Sequence, residues 1–269
     1  MPIIANYDGV ICGDDFITRN VLQKGGNGIL KVISKYGIGL DKIDLNAAEE
    51  LGITVTNCPG VNHITVAEHT FALILAFYKN IPDEIIHTRS GQWARLIGHE
   101  LYGKKIGVAG LGRIGKEIIT RAKAFGLEVF AYDNLIDKKF AKFNEVKICI
   151  SLEDLLNQVD ILSLNMSLGK DNYHCIDQNI IVNHANRGLL IVNTARGGLV
   201  DEQSILHGLD NKILSGYLTD VLENEPMEEN HPFKKYKNVF ITPHISSRTY
   251  QSVERQGLLA VENLKKALI

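Results

Sequence analysis

VAGLGRIG, residues 108–115, closes an apolar run and opens a segment of helical period, with its three glycines in G-x-G-x-x-G register. Gly110 suits a tight turn, Gly112 lets another group approach the backbone, and Gly115 lets a helix pack closely on a strand. A helix starting here offers N–H donors and partial positive charge to a phosphate. A purely structural glycine turn could carry the same residues, so the flanking sequence has to decide. The next apolar run, EVFAYD at 128–133, ends in Asp133, 18 positions after Gly115. An acid at that strand end accepts hydrogen bonds from ribose hydroxyls and repels a 2′-phosphate. By itself Asp133 could be a turn residue in YDN, but strand, glycines, helix, strand and acid in this order indicate a dinucleotide-binding unit that prefers NAD to NADP.

Working outward, apolar runs rich in Val and Ile alternate with helical stretches, the rhythm of parallel βαβ units and an α/β class. Strands are expected at 9–12, 30–34, 53–56, 105–110, 128–133, 147–150, 160–165, 189–193, 216–220 and 238–242. Helices are expected at 44–51 and 151–158, the latter with Ser151 as N-cap and Asp154 at the reciprocal capping position. Residues 65–93 read as a long apolar helix interrupted near Pro82 and continued by an amphipathic one. That segment separates three early strands from seven later ones, which puts a domain junction near its start.

Composition narrows the partners. Lys plus Arg is 29 against 31 Asp plus Glu, a formal charge of −2, so no basic surplus draws the chain to nucleic acid or to acidic membranes. The longest apolar run, FALILAF at 71–77, is far below the ~20 residues of a membrane span. Cys12, Cys58, Cys149 and Cys175 lack metal or disulfide spacing and read as buried thiols of a reducing compartment, so a soluble cytoplasmic protein is expected. His63, His69, His87, His99, His174, His184, His207 and His231 show no ligand spacing, and no metal is assigned.

In open α/β sheets, ligands bind beyond the carboxyl ends of the strands. Three polar residues fall there in turn. Arg196 follows LLIVN in NTARGG, where Gly197 and Gly198 let the backbone turn and a planar guanidinium suits a carboxylate and carbonyl. Glu225 lies in DVLENEP, and His244 ends VFITPH at 239–244. A carboxylate on one nitrogen of an imidazole fixes its tautomer and leaves the other nitrogen for proton transfer, as ketone reduction requires. Spacing alone does not put the three in contact, and a surface ion pair is the commoner fate of an arginine.

GLGRIGKE, NTARGGLVDE, TDVLENEP and ITPH, in this order and at these separations, together resemble the D-isomer-specific 2-hydroxyacid dehydrogenase family, most nearly its phosphoglycerate dehydrogenases and hydroxypyruvate reductases. The likeness extends through YDGVICGDDFIT, SKYGIGLDKIDL and NCPGVNHITVAEHT. It implies an NAD-dependent enzyme that interconverts a small D-2-hydroxy acid and its 2-oxo acid. On that resemblance Arg196 orients the substrate, His244 is the acid/base and Glu225 its paired carboxylate. Gly110, Gly112, Arg113, Ile114 and Gly115 form the pyrophosphate turn, and Asp133 holds the ribose. Thr194, Ala195 and Asp220 lie on the nicotinamide side, and Tyr36, Gly37, Ile38 and Gly39 hold the substrate carboxylate through backbone amides.

The resemblance also implies a Rossmann-type doubly wound domain over 65–244 and a flavodoxin-like substrate domain from 1–64 plus 245–269. The latter is expected to be N-terminally truncated, with an uncovered apolar edge on its sheet. A homodimer through residues 67–100 is implied as well. Lys35 stands where many phosphoglycerate dehydrogenases carry arginine, and Gly13 falls near an expected basic phosphate ligand, which points away from a phosphorylated substrate. NMS at 165–167 replaces a turn that usually holds proline near the adenine. The alternative from another class is a non-catalytic NAD-binding interaction protein on the same scaffold, which would have no need of Arg196, Glu225 and His244 together.

Overall fold

A computed structural model describes residues 2–269. It divides into two compact units, one formed by residues up to Asn62 together with Ser247–Ile269, the other by His63–Ser246. Among the described residues ten strands form where the sequence reading put them, with ends shifted by up to two residues.

The first unit holds β1 (Gly9–Cys12), α1 (Arg19–Gly26), β2 (Val32–Lys35), α2 (Leu45–Glu50) and β3 (Thr54–Thr56). The strands form a parallel sheet in chain order, with Gly9 opposite Val32 and Val32 opposite Thr54. Side chains alternate across the sheet. Ile33 joins Leu22, Ile43 and Ala47 in the core on one face. The neighbouring Ser34 donates from Oγ to the Ala260 carbonyl, 2.8 Å away on the unit's last helix, Tyr250–Leu268.

The second unit begins with α3 (His63–Tyr78) and α4 (Ile81–Arg89). The break between them falls at Asn80, with φ 53°, and Pro82 sits inside the first turn of α4. Proline is tolerated there because first-turn N–H groups have no intrahelical acceptor. Ala67, Phe71, Ile74 and Tyr78 make one buried stripe along α3.

There follow β4 (Lys105–Ala109), α5 (Arg113–Ala124), β5 (Glu128–Tyr132), α6 (Lys138–Phe143), β6 (Lys147–Ile148), α7 (Leu152–Leu156), β7 (Ile161–Leu164), α8 (Gln178–His184), β8 (Leu189–Asn193), α9 (Glu202–Asp210), β9 (Leu214–Thr219) and β10 (Val239–Ile241). The helix closing the first unit is α10. Ser151 caps α7 as expected, its Oγ accepting from Asp154 N–H at 3.1 Å. The reciprocal bond is displaced, because Asp154 Oδ2 accepts from Ile150 N–H, one residue before the cap.

Seven parallel strands lie in the order β10-β9-β8-β7-β4-β5-β6. The order reverses between β4 and β7, and that switch point leaves a crevice at their carboxyl ends. Helices cover both faces, so the interior strand β8 is buried at every residue. Leu189 and Ile191 join the core with Leu155, Leu162 and Leu209, while Leu190 and Val192 face Ile106, Ile118 and Leu218. Each such side chain contributes about 1.5–3 kcal/mol by leaving water. No helix among the described residues is long and apolar enough to cross a membrane.

Candidate active site

The glycine turn sits at the switch point. Gly110 has φ +103°, and a Cβ there would stand 2.7 Å from the Asn165 carbonyl group on the loop after β7. A Cβ on Gly115 would stand 2.0 Å from the Gly110 carbonyl oxygen, so the first turn of α5 packs on the loop only with glycine. Around a Cβ on Gly112 nothing lies within 4 Å, and Gly112 is the N-cap of α5 without a capping side chain. Open space over uncapped helix N–H groups fits a pyrophosphate. Arg113 is exposed and Ile114 half-buried on that turn. Asp133 follows β5, with Oδ2 accepting from Leu111 N–H at 2.5 Å and Oδ1 from Leu135 N–H at 2.8 Å. Each carboxylate oxygen carries a second lone pair that suits a ribose hydroxyl. These residues fit an NAD-type dinucleotide.

At the end of β8, Asn193 braces the turn that carries Thr194, Ala195 and Arg196. Its buried side chain accepts from Ala195 N–H at 3.1 Å and donates to the Arg196 carbonyl at 2.9 Å. Thr194 Oγ1 lies 3.0 Å from Thr70 Oγ1 on α3. Arg196 is half-buried and donates from Nη1 to the Ala195 carbonyl at 2.7 Å. Gly197 serves a packing need beyond turning the backbone, since a Cβ there would stand 2.1 Å from the Leu222 carbonyl group beyond β9.

The residues after β9 and β10 meet. His244 Nδ1 is 2.9 Å from Glu225 Oε2, and Glu225 Oε1 accepts from Leu222 N–H at 3.1 Å. A carboxylate only accepts, so Nδ1 carries the proton on that side and the proton-transferring nitrogen is Nε2. His244 is in the left-handed region at φ 54°, a conformation that holds only where the surroundings over-determine it. Its N–H donates to the Asp220 carbonyl at 2.9 Å. The Asp220 carboxylate, 1% exposed, accepts from Thr242 Oγ1, Ile245 N–H and Ser246 N–H at 2.5, 2.8 and 2.7 Å. Asp220 thus grips the His244 segment from both ends. His69 on α3 adds a bond from Nε2 to Thr242 Oγ1 at 2.9 Å. Sequence reading passed over Asn193, His69 and Thr242; only the Asn in NTARGG, beside an arginine already singled out, offered a signal.

In the first unit, the loop Tyr36–Gly39 follows β2 with Gly37 at φ +132°. Its carbonyls are engaged, Gly37 O by Cys58 N–H at 2.8 Å and Ile38 O by Asn57 Nδ2 at 2.8 Å. Among the described residues, the amides of Gly37, Ile38 and Gly39 have no intramolecular acceptor. A loop with satisfied carbonyls and unengaged N–H groups attracts an anion. No group of three or more His, Cys, Asp or Glu among the described residues could hold a metal ion.

A doubly wound parallel sheet with a glycine turn at its switch point defines a Rossmann-type dinucleotide-binding protein. Residues 71–246 match the NAD binding domain of the D-isomer specific 2-hydroxyacid dehydrogenases, and the chain belongs to that family, with NAD as its cofactor. It is 38% identical over 254 residues to the D-3-phosphoglycerate dehydrogenase of Methanocaldococcus jannaschii, across 94% of this chain and 48% of that protein. The chain thus spans about half the length of that relative. To the hydroxypyruvate reductase of Thermotoga maritima it is 36% identical over 274 residues, across 100% of this chain and 87% of the relative. The crystal structure of D-lactate dehydrogenase from Aquifex aeolicus, complexed with NAD and lactic acid, superposes with a TM-score of 0.88 at 29% identity, covering 97% of this chain and 83% of that one.

Proposed function

We propose that the protein is an NAD-dependent dehydrogenase that interconverts a small D-2-hydroxy acid and its 2-oxo acid. The observation that carries this reading is the His244–Glu225 pair, 2.9 Å apart and held by a buried Asp220. Bound NADH supplies the hydride for the carbonyl carbon. His244 Nε2 gives its proton to the carbonyl oxygen in reduction and takes it back in oxidation. Glu225 fixes the ring's tautomer and stabilises the imidazolium. Arg196 orients and polarises the 2-oxo acid through its planar fork. The Gly37, Ile38 and Gly39 amides take the substrate carboxylate, while Tyr36, expected from the sequence to share in this, has its N–H bonded to the Cys12 carbonyl at 2.9 Å.

Thr194 and Ala195 border the nicotinamide side, and Asp220 joins them while holding the His244 segment. The phosphoglycerate dehydrogenase and hydroxypyruvate reductase relatives leave the acid's third carbon undecided, and the inference below addresses it. The protein works as a homodimer in the cytoplasm, a reading supported by the exposed apolar side chains between Ile81 and Tyr102 and by four free thiols. The test is NADH oxidation by the purified chain with hydroxypyruvate, glyoxylate, pyruvate and 3-phosphohydroxypyruvate offered separately. Turnover that disappears in His244→Ala supports the dehydrogenase. NADH binding without turnover of any 2-oxo acid would sink it in favour of a binding protein.

A further inference from the structure

Lys35 ends β2, directly before the Tyr36–Gly39 loop, and its side chain is only 8% exposed. A charge so far from water has to be paired and hydrogen-bonded. Its Nζ donates to the Gly13 carbonyl and, at 2.9 Å, to Asp14 Oδ1, both in the turn after β1. The same side chain runs beneath the loop, where a Cβ on Gly37 would stand 3.4 Å from Lys35 Cε and 3.9 Å from Nζ. Lys35 therefore links the turns at the carboxyl ends of two adjacent parallel strands.

The link completes the support of the loop. On the β3 side, Asn57 and Cys58 hold the carbonyls of Ile38 and Gly37. On the β1 side, Lys35 holds Gly13 and Asp14 and packs under Gly37. The loop amides keep their direction because both flanks are fixed. The ammonium is matched by a carboxylate that is itself 70% exposed. An anionic substituent arriving at this edge meets an ammonium already engaged by a carboxylate, and the carboxylate is the more exposed of the two, which repels it.

Resting on the reading of Tyr36–Gly39 as the carboxylate-binding loop, we propose that Lys35 is a positioning residue that fixes this loop through Gly13 and Asp14, and that the protein takes 2-oxo acids whose remaining substituent is uncharged, not phosphorylated or sulfonated.

The test compares NADH oxidation by the full chain and by Lys35→Met, Lys35→Arg and Asp14→Asn on glyoxylate, hydroxypyruvate and 3-phosphohydroxypyruvate. Hydrogen–deuterium exchange is followed in parallel at the bonded amides around the loop: Tyr36 N–H on the Cys12 carbonyl, Cys58 N–H on the Gly37 carbonyl and Gly13 N–H on Asp15 Oδ2. Lys35→Met should raise KM for every accepted acid by the same factor, about tenfold or more, because a displaced loop misplaces any carboxylate alike. Its kcat should stay within about threefold of wild type, since uniform binding alone is lost. Exchange should quicken at these three amides, and Lys35→Arg should restore most of the KM. Asp14→Asn, which leaves the ammonium uncancelled, should improve kcat/KM for the phosphorylated acid relative to glyoxylate by about tenfold.

A wild-type preference for 3-phosphohydroxypyruvate, or a Lys35→Met loss confined to that acid, would make Lys35 a phosphate ligand and overturn the proposal. Unchanged exchange at Tyr36 and Cys58 in Lys35→Met would overturn it too. Failure of the wild type on every 2-oxo acid would count against the dehydrogenase reading instead, and the exchange comparison would still decide whether Lys35 holds the loop.

Discussion

His244 Nδ1 stands 2.9 Å from Glu225 Oε2, and the two side chains come from the ends of neighbouring strands, β10 and β9. A proton-transfer group held in this way is expected to matter for turnover and little for cofactor affinity. His244→Ala should lower kcat by about 10²- to 10⁴-fold while NADH binding, read by fluorescence, stays near wild type. Glu225→Gln removes the charge that favours a protonated imidazole, and reduction needs that proton. The basic limb of its pH–rate profile should therefore move to lower pH. Equal loss of NADH affinity in His244→Ala would make the residue structural, and an unmoved profile in Glu225→Gln would separate the pair functionally.

Asp220 holds the segment that carries His244, with three donors on its buried carboxylate. Asp220→Ala leaves Ile245 N–H, Ser246 N–H and Thr242 Oγ1 without that acceptor. Hydrogen bonds to a charged group are each worth about 1.5–3 kcal/mol, and partial rehydration leaves a net cost of about 3 kcal/mol. The urea midpoint should fall accordingly. kcat should fall with it even at temperatures where the variant is folded, because the left-handed His244 backbone loses its clamp. A variant with wild-type midpoint and kcat would show that Thr242 and His69 suffice.

Asp133 accepts from Leu111 N–H while lying at the strand end expected to meet the ribose. Asp133→Ser should narrow the preference for NADH over NADPH by about tenfold, because the repulsion of a 2′-phosphate is removed. The measurement is kcat/KM for each cofactor with the best 2-oxo acid. An unchanged ratio would mean that the carboxylate serves only the glycine turn.

Periodicity and glycine spacing made the sheet legible before any coordinates. β8 reads as a buried parallel strand because LLIV runs apolar without a break up to Asn193, and the 108–115 turn because steric need ties Gly110 and Gly115 to their places. The supports of the site were not legible in the same way. Asp220, Thr242 and His69 are brought together by strand order and helix packing, and nothing in their spacing records it. The capping pair at α7 shows the same limit at short range. Ser151 was readable, but whether Asp154 would reach residue 151 or residue 150 depends on the path of the preceding chain. Lys35 was readable only as the residue standing where many phosphoglycerate dehydrogenases carry arginine; its partner Asp14 lies 21 positions earlier, on another strand's turn.

Burial pushes the Cys149 and Cys175 thiols from 9 up to about 11. A thiol is reactive as its thiolate, so near pH 8 the reactive fraction falls to about a hundredth of that of an ordinary thiol. Ellman's reagent should react slowly with the native protein at pH 8 and faster as the pH rises toward 11, while the unfolded chain titrates four thiols at once. A fast native phase at pH 8 would contradict the burial of these sulfurs.

Ile81, Ile85, Ile86, Trp93, Leu96, Ile97 and Tyr102 are all exposed, Ile97 at 91% and Trp93 at 80%. Apolar side chains gathered in one stretch of chain mark a surface that another protein covers, and a second copy is the partner proposed for it. Sedimentation velocity should give a dimer. Ile97→Asp should shift it toward monomer, since an unpaired charge placed in an apolar contact is costly to bury. The substitution lies outside the packed core, so the variant's far-UV circular dichroism should match wild type. A monomeric wild type would remove the dimer from the proposal while leaving the chemistry of His244 and Glu225 untouched.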